Sequence, residues 1–260
     1  MSTAAYEIYA IKYAHHERTA SQNFLGGDPH DGPMPMDYFV WLVRGAGVDV
    51  VVDTGFNAAA AARRQRQLLR PVDEALALMG VQAASVRDVV ITHLHYDHVG
   101  SFDLFPQAAF HVQDLEMQYA TGRNMCHDAL RHAFEVEDVV GMVRNVYARR
   151  VRFYAGDAQL FPGISVHLIG GHTMGLQVVR VATRRGYVVL ASDASHYYAN
   201  MGEGRPFPIV YNVGDMMDGW GKLRDLADSP AHIVPGHDPL VLERYPAPSK
   251  ELAGIVARLD

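Results

Sequence analysis

The 260-residue sequence contains a single cysteine, Cys126, so no disulfide can form within the chain. It has no run of about 18 uninterrupted apolar residues, which is the length that a membrane-spanning helix needs. The N-terminal segment lacks the basic start, apolar run and small-residue cleavage site of a secretory signal. From these absences we expect a cytoplasmic protein without a membrane partner.

A strong positive charge is missing as well. The formal net charge is −6 and the sequence pI is about 6.1, so we expect no general attraction to phosphate backbones and no nucleic-acid partner. The composition, 49% hydrophobic and 20% charged, is typical of a globular protein. Internal repeats, low-complexity tracts and linkers are not evident. The sequence therefore predicts one domain over residues 1–260.

Short β-rich runs alternate with helical stretches along the chain. Apolar patterns predict strands at residues 6–12, 38–44, 48–55, 87–93, 108–112, 164–169, 175–183, 186–193 and 231–238. Helix propensity predicts helices at residues 57–70, 71–79, 113–120 and 127–147, and glycine and proline predict a long loop at 21–37. This alternation favours two sheets packed face to face with helices outside, a four-layer α/β arrangement.

Four potential metal ligands fall within six positions directly after the strand predicted at 87–93. They are His93, His95, Asp97 and His98. At a strand period of two, His93 and His95 point the same way. Imidazole and carboxylate groups are suitable ligands for zinc and similar divalent ions. One histidine at a strand end would be structural, but packing gives no reason to group these four, so the segment predicts a metal site.

This segment resembles the H-x-H-x-D-H signature of the metallo-β-lactamase superfamily and matches it at every defined position. Three later landmarks agree with that family in order: His172 after two glycines, Asp193 at the end of VVLASD, and His237 within IVPGHD. The early VVDTG at residues 51–55 matches too, so the agreement runs from about residue 38 to residue 238. The resemblance implies the four-layer αββα sandwich of the metallo-β-lactamase family.

The resemblance also implies a ligand set for two divalent metal ions. His93, His95 and His172 would hold one ion, Asp97, His98 and His237 would hold the other, and Asp193 would bridge them. A hydroxide shared by the two ions would attack the scissile carbonyl. Zinc is the expected ion, and Mn²⁺, Co²⁺ or Fe²⁺ are also compatible with these ligands. Asp53 either orients a ligand histidine or closes the turn at Thr54-Gly55.

Single positions separate the branches of this superfamily. Flavodiiron oxidoreductases carry an acid at the position of His95, and the common zinc β-lactamases carry a cysteine at the position of Asp193. Because this chain has neither, both branches are disfavoured. Glyoxalase II-type thioesterases need a helical domain after the last metal histidine, whereas 23 residues follow His237 (260 minus 237). RNase Z-type nucleases need a basic surface, which this sequence does not indicate, so that branch is disfavoured as well. The chain is most similar to the N-acyl homoserine lactonase family, although His196 stands where that family has a tyrosine.

The lactonase resemblance implies a binuclear hydrolase that opens a small lactone, as in quorum quenching. Asp97 would pass a proton to the leaving oxygen, and His196 would donate a hydrogen bond to the substrate. Because His196 replaces the tyrosine, hydrolysis of another small ester, thioester or cyclic amide is the alternative. The complete ligand set disfavours a metal-binding sensor without turnover.

Loops are expected to shape a pocket for this small-molecule substrate. Residues 21–37, with Phe24, Met34 and Met36, would form an apolar lip, and residues 117–147 would form either a cap or part of the core. A further rim is expected at 204–208, where Arg205 would meet a substrate carboxylate. The apolar residues of the 21–37 loop also raise the hypothesis of a homodimer.

Overall fold

Two β-sheets occupy the centre of the computed structural model, which describes residues 5–260. The larger sheet has the strand order β13-β1-β2-β3-β5-β6-β7, with β4 beside β1, and the smaller has the order β12-β11-β10-β9-β8. The strands are β1 (Glu7–His16), β2 (Met36–Gly45), β3 (Val48–Val52), β4 (Gln67–Leu68), β5 (Asp88–Val90), β6 (Ala109–Gln113), β7 (Val151–Tyr154), β8 (Ala158–Phe161), β9 (Ile164–Leu168), β10 (Gln177–Thr183), β11 (Gly186–Ser192), β12 (Ile233–Pro235) and β13 (Val256–Arg258).

Helices connect these strands and cover the outer faces of both sheets. They are α1 (Ala58–Arg64), α2 (Val72–Ala77), α3 (Tyr96–Val99), α4 (Asp114–Ala120), α5 (Asp128–Arg131), α6 (Val136–Tyr147), α7 (Tyr198–Glu203), α8 (Val213–Leu226) and α9 (Leu240–Arg244). None of the helices within residues 5–260 combines the length and the apolar character needed to cross a membrane.

Three buried layers of side chains separate the four layers of backbone. Strand β2 shows how they form, because alternate side chains leave opposite faces of a strand. Phe39 and Trp41 pack between the two sheets, whereas Val40 and Leu42 pack on the other face, against the helices outside the larger sheet. A third cluster, which includes Trp220 of α8, covers the outer face of the smaller sheet. The predicted four-layer αββα class is confirmed.

The topology brings several strand ends to one edge. Strands β3, β5 and β6 run parallel in the larger sheet, and β11 and β12 run parallel in the smaller one. The segment that begins at His93 follows β5, Asp193 follows β11, and His237 follows β12. Because the carboxyl ends of parallel strands meet at the same edge of a sheet, these side chains lie together.

Two helix predictions are wrong in extent. The helix predicted at 57–70 ends at Arg64, because Gln65 takes a left-handed conformation (φ 55°) and residues 67–68 then pair with β1 as β4. The helix predicted at 127–147 is divided into α5 and α6. Both interruptions matter for the site, since they place Arg66 and residues 132–133 beside the cavity described below.

Several elements were not predicted from the sequence: β4, β7, β8, β13, α3, α7, α8 and α9. Helix α8 is the longest of these, and its glycines lower its helix propensity. At Gly219 a glycine is required by packing, because a Cβ there would lie 2.5 Å from Ile169 Cγ2. A residue that weakens the local helix signal therefore allows α8 to approach the smaller sheet closely.

Candidate metal centre

The backbone around the centre is held in uncommon conformations. Asp53 and Ser192, which stand next to the site in space, have positive φ angles of 63° and 45°. Both are buried, and Thr92 Oγ1 links them through contacts of 2.9 Å to Asp53 Oδ2 and 2.9 Å to Ser192 Oγ. Such conformations cost free energy and concentrate at functional sites. The edge where the strands end is therefore a strained and tightly bonded region.

Three imidazoles form the first group of the centre. His95 Nδ1 lies 3.0 Å from His93 Nε2 and 2.9 Å from His172 Nε2. All three side chains are buried. Burial, together with the neighbouring imidazoles, lowers the pKa of His93 and of His95 well below the ordinary value. Both are therefore neutral, which is the form that binds a metal ion.

The second group lies on the other side of Asp193. Asp97 Oδ2 is 3.6 Å from His98 Nε2 and 3.7 Å from His237 Nε2. Asp193 turns one oxygen to each group: Oδ2 is 3.2 Å from His172 Nε2, and Oδ1 is 3.0 Å from His237 Nε2. The seven side chains that the sequence singled out as ligands are thus brought together in the two sets expected, with Asp193 between them.

The donor atoms fit divalent metal ions better than they fit one another. His98 Nε2 and Asp193 Oδ1 are buried and form no well-aligned hydrogen bond in the part of the chain that the structure describes, although Asp193 Oδ1 lies 3.0 Å from His237 Nε2. Buried polar atoms without a partner are costly, and a metal ion would satisfy them. Burial opposes ionisation of Asp193, but the surrounding imidazoles, His196 first, outweigh it and hold the pKa of Asp193 well below its usual range.

Hydrogen bonds on the far side of the rings fix their orientation. The Nδ1–H groups of His98, His172 and His237 donate respectively to Asp53 Oδ2 at 2.7 Å, to Ile209 O at 2.7 Å and to Asp37 O at 3.0 Å. Each ring therefore directs Nε2 into the centre, as metal-ligating histidines generally do. Asp53 contacts His98 as expected of an orienting acid, and it also precedes the turn at Thr54.

Glu116 is a further buried acid that the sequence analysis did not find. It accepts hydrogen bonds from Leu94 N at 2.8 Å, Thr173 Oγ1 at 2.6 Å and Gly175 N at 3.1 Å. It therefore ties the loop that carries His93 and His95 to the loop that carries His172. Burial raises the pKa of Glu116. A single glutamate near the start of a helix carries no signal in one sequence, so it could not be recognised beforehand.

His196 lies against Asp193. Its Nε2 is 3.0 Å from Asp193 Oδ2, and its ring stacks on Phe207 with centroids 3.6 Å apart and planes 7° apart. Its donor atom groups with those of Asp193 and His237, so it is as close to the shared acid as the expected ligands are. Burial lowers the pKa of His196 to about 3. The imidazole is therefore neutral at ordinary pH.

A small cavity of about 60 Å³ opens over the centre. Of the residues expected to line a pocket, Met36 and Phe207 do so. Arg205 does not, because it is paired with Asp28 at 2.8 Å and with Glu203 at 3.1 Å. The rest of the wall comes from residues that the sequence did not indicate: Arg18, Tyr38, Arg64, Arg66, Tyr96, His132, Ala133 and Ile209. The segment 117–147 lines the cavity only through residues 132–133, although Phe134 also packs edge-on against the ring of His95 with centroids 4.6 Å apart.

Comparison with known proteins agrees with this geometry. The family model of the metallo-beta-lactamase superfamily matches residues 34–237. The chain belongs to this superfamily. The matched range includes every side chain of the two ligand groups and Asp193 between them.

Within the superfamily, two curated relatives are N-acyl homoserine lactonases named AttM. The one from Azorhizobium caulinodans is 30% identical over 166 residues, 62% of this chain and 61% of that protein. The one from Rhizobium johnstonii is 30% identical over 177 residues, 65% of this chain and 64% of that protein. The chain therefore spans less than two thirds of the length of these relatives.

Solved structures of the superfamily share the fold over nearly the whole chain. A quorum-quenching N-acyl homoserine lactone lactonase superposes with a TM-score of 0.75 at 20% identity, covering 91% of this chain and 93% of the other. A probable metal-dependent hydrolase from Staphylococcus aureus also reaches 0.75, at 12% identity, covering 92% of this chain and 91% of the other. At these identities the likeness shows the fold.

Proposed function

We propose that the chain, as one domain over residues 1–260, is a binuclear metal-dependent hydrolase that opens a small lactone of the N-acyl homoserine lactone type. The observation that carries the proposal is the pair of ligand groups with Asp193 between them, one carboxylate oxygen facing each group. The lactonase names of the curated relatives support the choice of substrate class.

The metal ions would be held by His93, His95 and His172 on one side and by Asp97, His98 and His237 on the other, with Asp193 shared. Two divalent ions, for which Zn²⁺ is the first candidate, supply Lewis acidity toward the carbonyl and activate water near neutral pH. The chain orients His98, His172 and His237 through Asp53 Oδ2, Ile209 O and Asp37 O respectively.

The proton that ring opening requires is assigned to Asp97. Its side chain borders the cavity, and its backbone is fixed because Asp97 O accepts a hydrogen bond from Tyr13 at 3.0 Å. From this position the carboxylate can take up the proton released by the attacking water and pass it to the alkoxide oxygen that leaves when the ring opens. His196 is held in place by the stack on Phe207 and lines the same cavity. Its Nε2–H, which faces Asp193 Oδ2 at 3.0 Å, is the group that would donate to the oxygen of the attacked carbonyl.

The cavity volume bears on the size of the substrate. Pockets for drug-sized ligands measure roughly 300–1,000 Å³, whereas this cavity measures about 60 Å³. A small ring and its carbonyl fit such a space, while a long acyl chain would have to extend outside it. Small lactones are therefore the first substrates to test, ahead of long-chain N-acyl homoserine lactones.

The experiment is a substrate panel on the Zn²⁺-loaded protein, with ring opening followed by a pH indicator. The panel contains unsubstituted lactones, N-acyl homoserine lactones from C4 to C12, and chromogenic esters, thioesters and cyclic amides. We expect lactones to be opened fastest and Asp97→Asn to lose about 100-fold or more in rate. The matched control is Asp103→Asn, which should keep the wild-type rate. Turnover of esters or amides without lactones would replace the proposed substrate class.

A further inference from the structure

Two arginines on the cavity wall come from segments far apart in sequence. Arg18 follows β1, and Arg66 directly precedes β4. The pairing of β4 with β1, with Gln67 opposite His15, brings both to the cavity over the metal centre. We refer to Arg18 and Arg66 as the arginine pair. Neither is a ligand in the groups described above, and neither has a role in the proposed chemistry.

Neutral acceptors hold the arginine pair in place. Arg18 Nε donates to Asn23 Oδ1 at 2.6 Å, and its Nη2 donates to Gln22 O at 2.6 Å. Arg66 Nε donates to Tyr96 Oη at 3.1 Å, and its Nη1 donates to a backbone carbonyl. These bonds orient both guanidinium groups but bring no negative charge into direct contact with them. Arg18 Nη1 and Arg66 Nη2 donate to no group within residues 5–260 and remain available to a ligand.

No carboxylate in the described part of the chain forms a salt bridge with either member of the pair. The other cavity arginine, Arg64, differs in this respect, because Glu135 Oε1 lies 2.8 Å from its Nε. A half-buried guanidinium with no acid in direct contact is unfavourable. Burial lowers the pKa of Arg18, whereas for Arg66 burial is outweighed by Tyr38, Tyr96 and the charge of Asp97, which raise its pKa. Such an arrangement is typical of a site whose anion arrives with the ligand.

The charges of the arginine pair also affect the pKa of a neighbouring histidine. His16 is half-buried beside the pair, and burial, followed by the charges of Arg66 and Arg18, lowers its pKa to about 4. It is therefore neutral at ordinary pH and adds no further charge. The positive character of this wall belongs to the two guanidinium groups, which stand beside a centre suited to attack on a carbonyl.

We propose that the substrate of this chain carries a carboxylate next to its lactone ring, and that Arg18 and Arg66 bind this carboxylate. The inference rests on the proposed lactone hydrolysis and, among small lactones, favours a ring that bears a carboxylate over the N-acyl homoserine lactones themselves. Simple N-acyl homoserine lactones have no such anionic group. The arginine pair would hold the substrate by its carboxylate while the ring carbonyl reaches the metal centre, and the opened product would be a hydroxy-dicarboxylate.

The test compares two lactones that differ only in charge: γ-butyrolactone-γ-carboxylate and the corresponding carboxamide. We expect the Zn²⁺-loaded wild type to have a kcat/KM at least about tenfold higher for the carboxylate. In Arg18→Gln and Arg66→Gln this ratio should fall toward one, through loss of activity on the carboxylate alone. Arg66→Lys should keep part of the ratio, since it keeps the charge. Arg184→Gln removes the same charge from a side chain that is 71% exposed and should leave the ratio unchanged.

Equal kcat/KM values for the two lactones in the wild type would overturn the inference and leave the proposed lactone hydrolysis standing. An equal loss on both lactones in the glutamine variants would also overturn it, because the arginines would then be structural. If only lactones without a carboxylate are opened, the inference is overturned and the proposed function stands. If neither these two lactones nor any lactone of the panel above is opened, the proposed function fails, and binding of 2-hydroxyglutarate to the same proteins by calorimetry decides the inference separately. Binding at least about tenfold tighter in the wild type than in Arg18→Gln would support it, and equal binding would overturn it.

Discussion

Replacement of Glu116 by alanine tests how the two ligand loops are joined. The change removes the acceptor of three buried donors: Leu94 N, Thr173 Oγ1 and Gly175 N. A buried donor left without a partner costs roughly 1–3 kcal/mol, and removal of a buried carboxylate returns part of that cost. We therefore expect the free energy of unfolding to fall by about 3 kcal/mol. The Zn²⁺ affinity should fall about tenfold or more, because the loop of His172 loses its connection to the loop of His93 and His95.

Urea denaturation of the chelator-treated protein, followed by circular dichroism, measures the loss of stability, and competition with a chromophoric chelator measures the affinity. Glu116→Gln keeps one carbonyl oxygen and should lose less on both measures. Asp114→Ala is the matched control, since it removes an exposed acid from the first turn of the same helix and should cost less than about 1 kcal/mol. A loss in Glu116→Ala no larger than that of the control would refute the connecting role.

Two further changes test other parts of the molecule. Asp53→Asn weakens the hydrogen-bond acceptor of His98 Nδ1. It should reduce the Zn²⁺ affinity by about 10–100-fold in a chelator competition. Unchanged affinity would mean that Asp53 only closes the turn. Burial, followed by the charge of Glu135, raises the pKa of Asp138 to about 6. Its protonated form therefore contributes stability that is present at low pH and lost as the pH rises through about 6. Asp138→Asn should stabilise the fold by about 1 kcal/mol at pH 8 and by little at pH 4 to 5, and equal effects in urea denaturation at both would contradict the assignment.

The ligand side chains could be predicted because each stands at the end of an apolar strand. The segment from His93 to His98 is dense enough in donors to exclude a packing role. His172, Asp193 and His237 could be recognised as ligands because their order along the chain matches the family pattern. The structure gathers all of these side chains at one edge because β5, β9, β11 and β12 end there.

The cavity wall could not be predicted in the same way. Arg66 looks like one more charged residue at the end of a helix, and only the left-handed Gln65 and the pairing of β4 with β1 direct it toward the site. Arg205, which the sequence favoured as the arginine that meets a substrate carboxylate, is compensated by Asp28 and Glu203. Which arginine remains free of an acid depends on contacts between distant segments, and no local pattern reports them.

The most direct test of the central claim is metal content per chain, measured by plasma mass spectrometry alongside lactone ring opening, for the wild type and His172→Ala. We expect two metal ions per wild-type chain with ring opening, and fewer than two ions with loss of ring opening in His172→Ala, because the first ligand group then keeps only His93 and His95 beside Asp193. Fewer than one metal ion per wild-type chain after supplementation with Zn²⁺ and Mn²⁺ would contradict the binuclear centre.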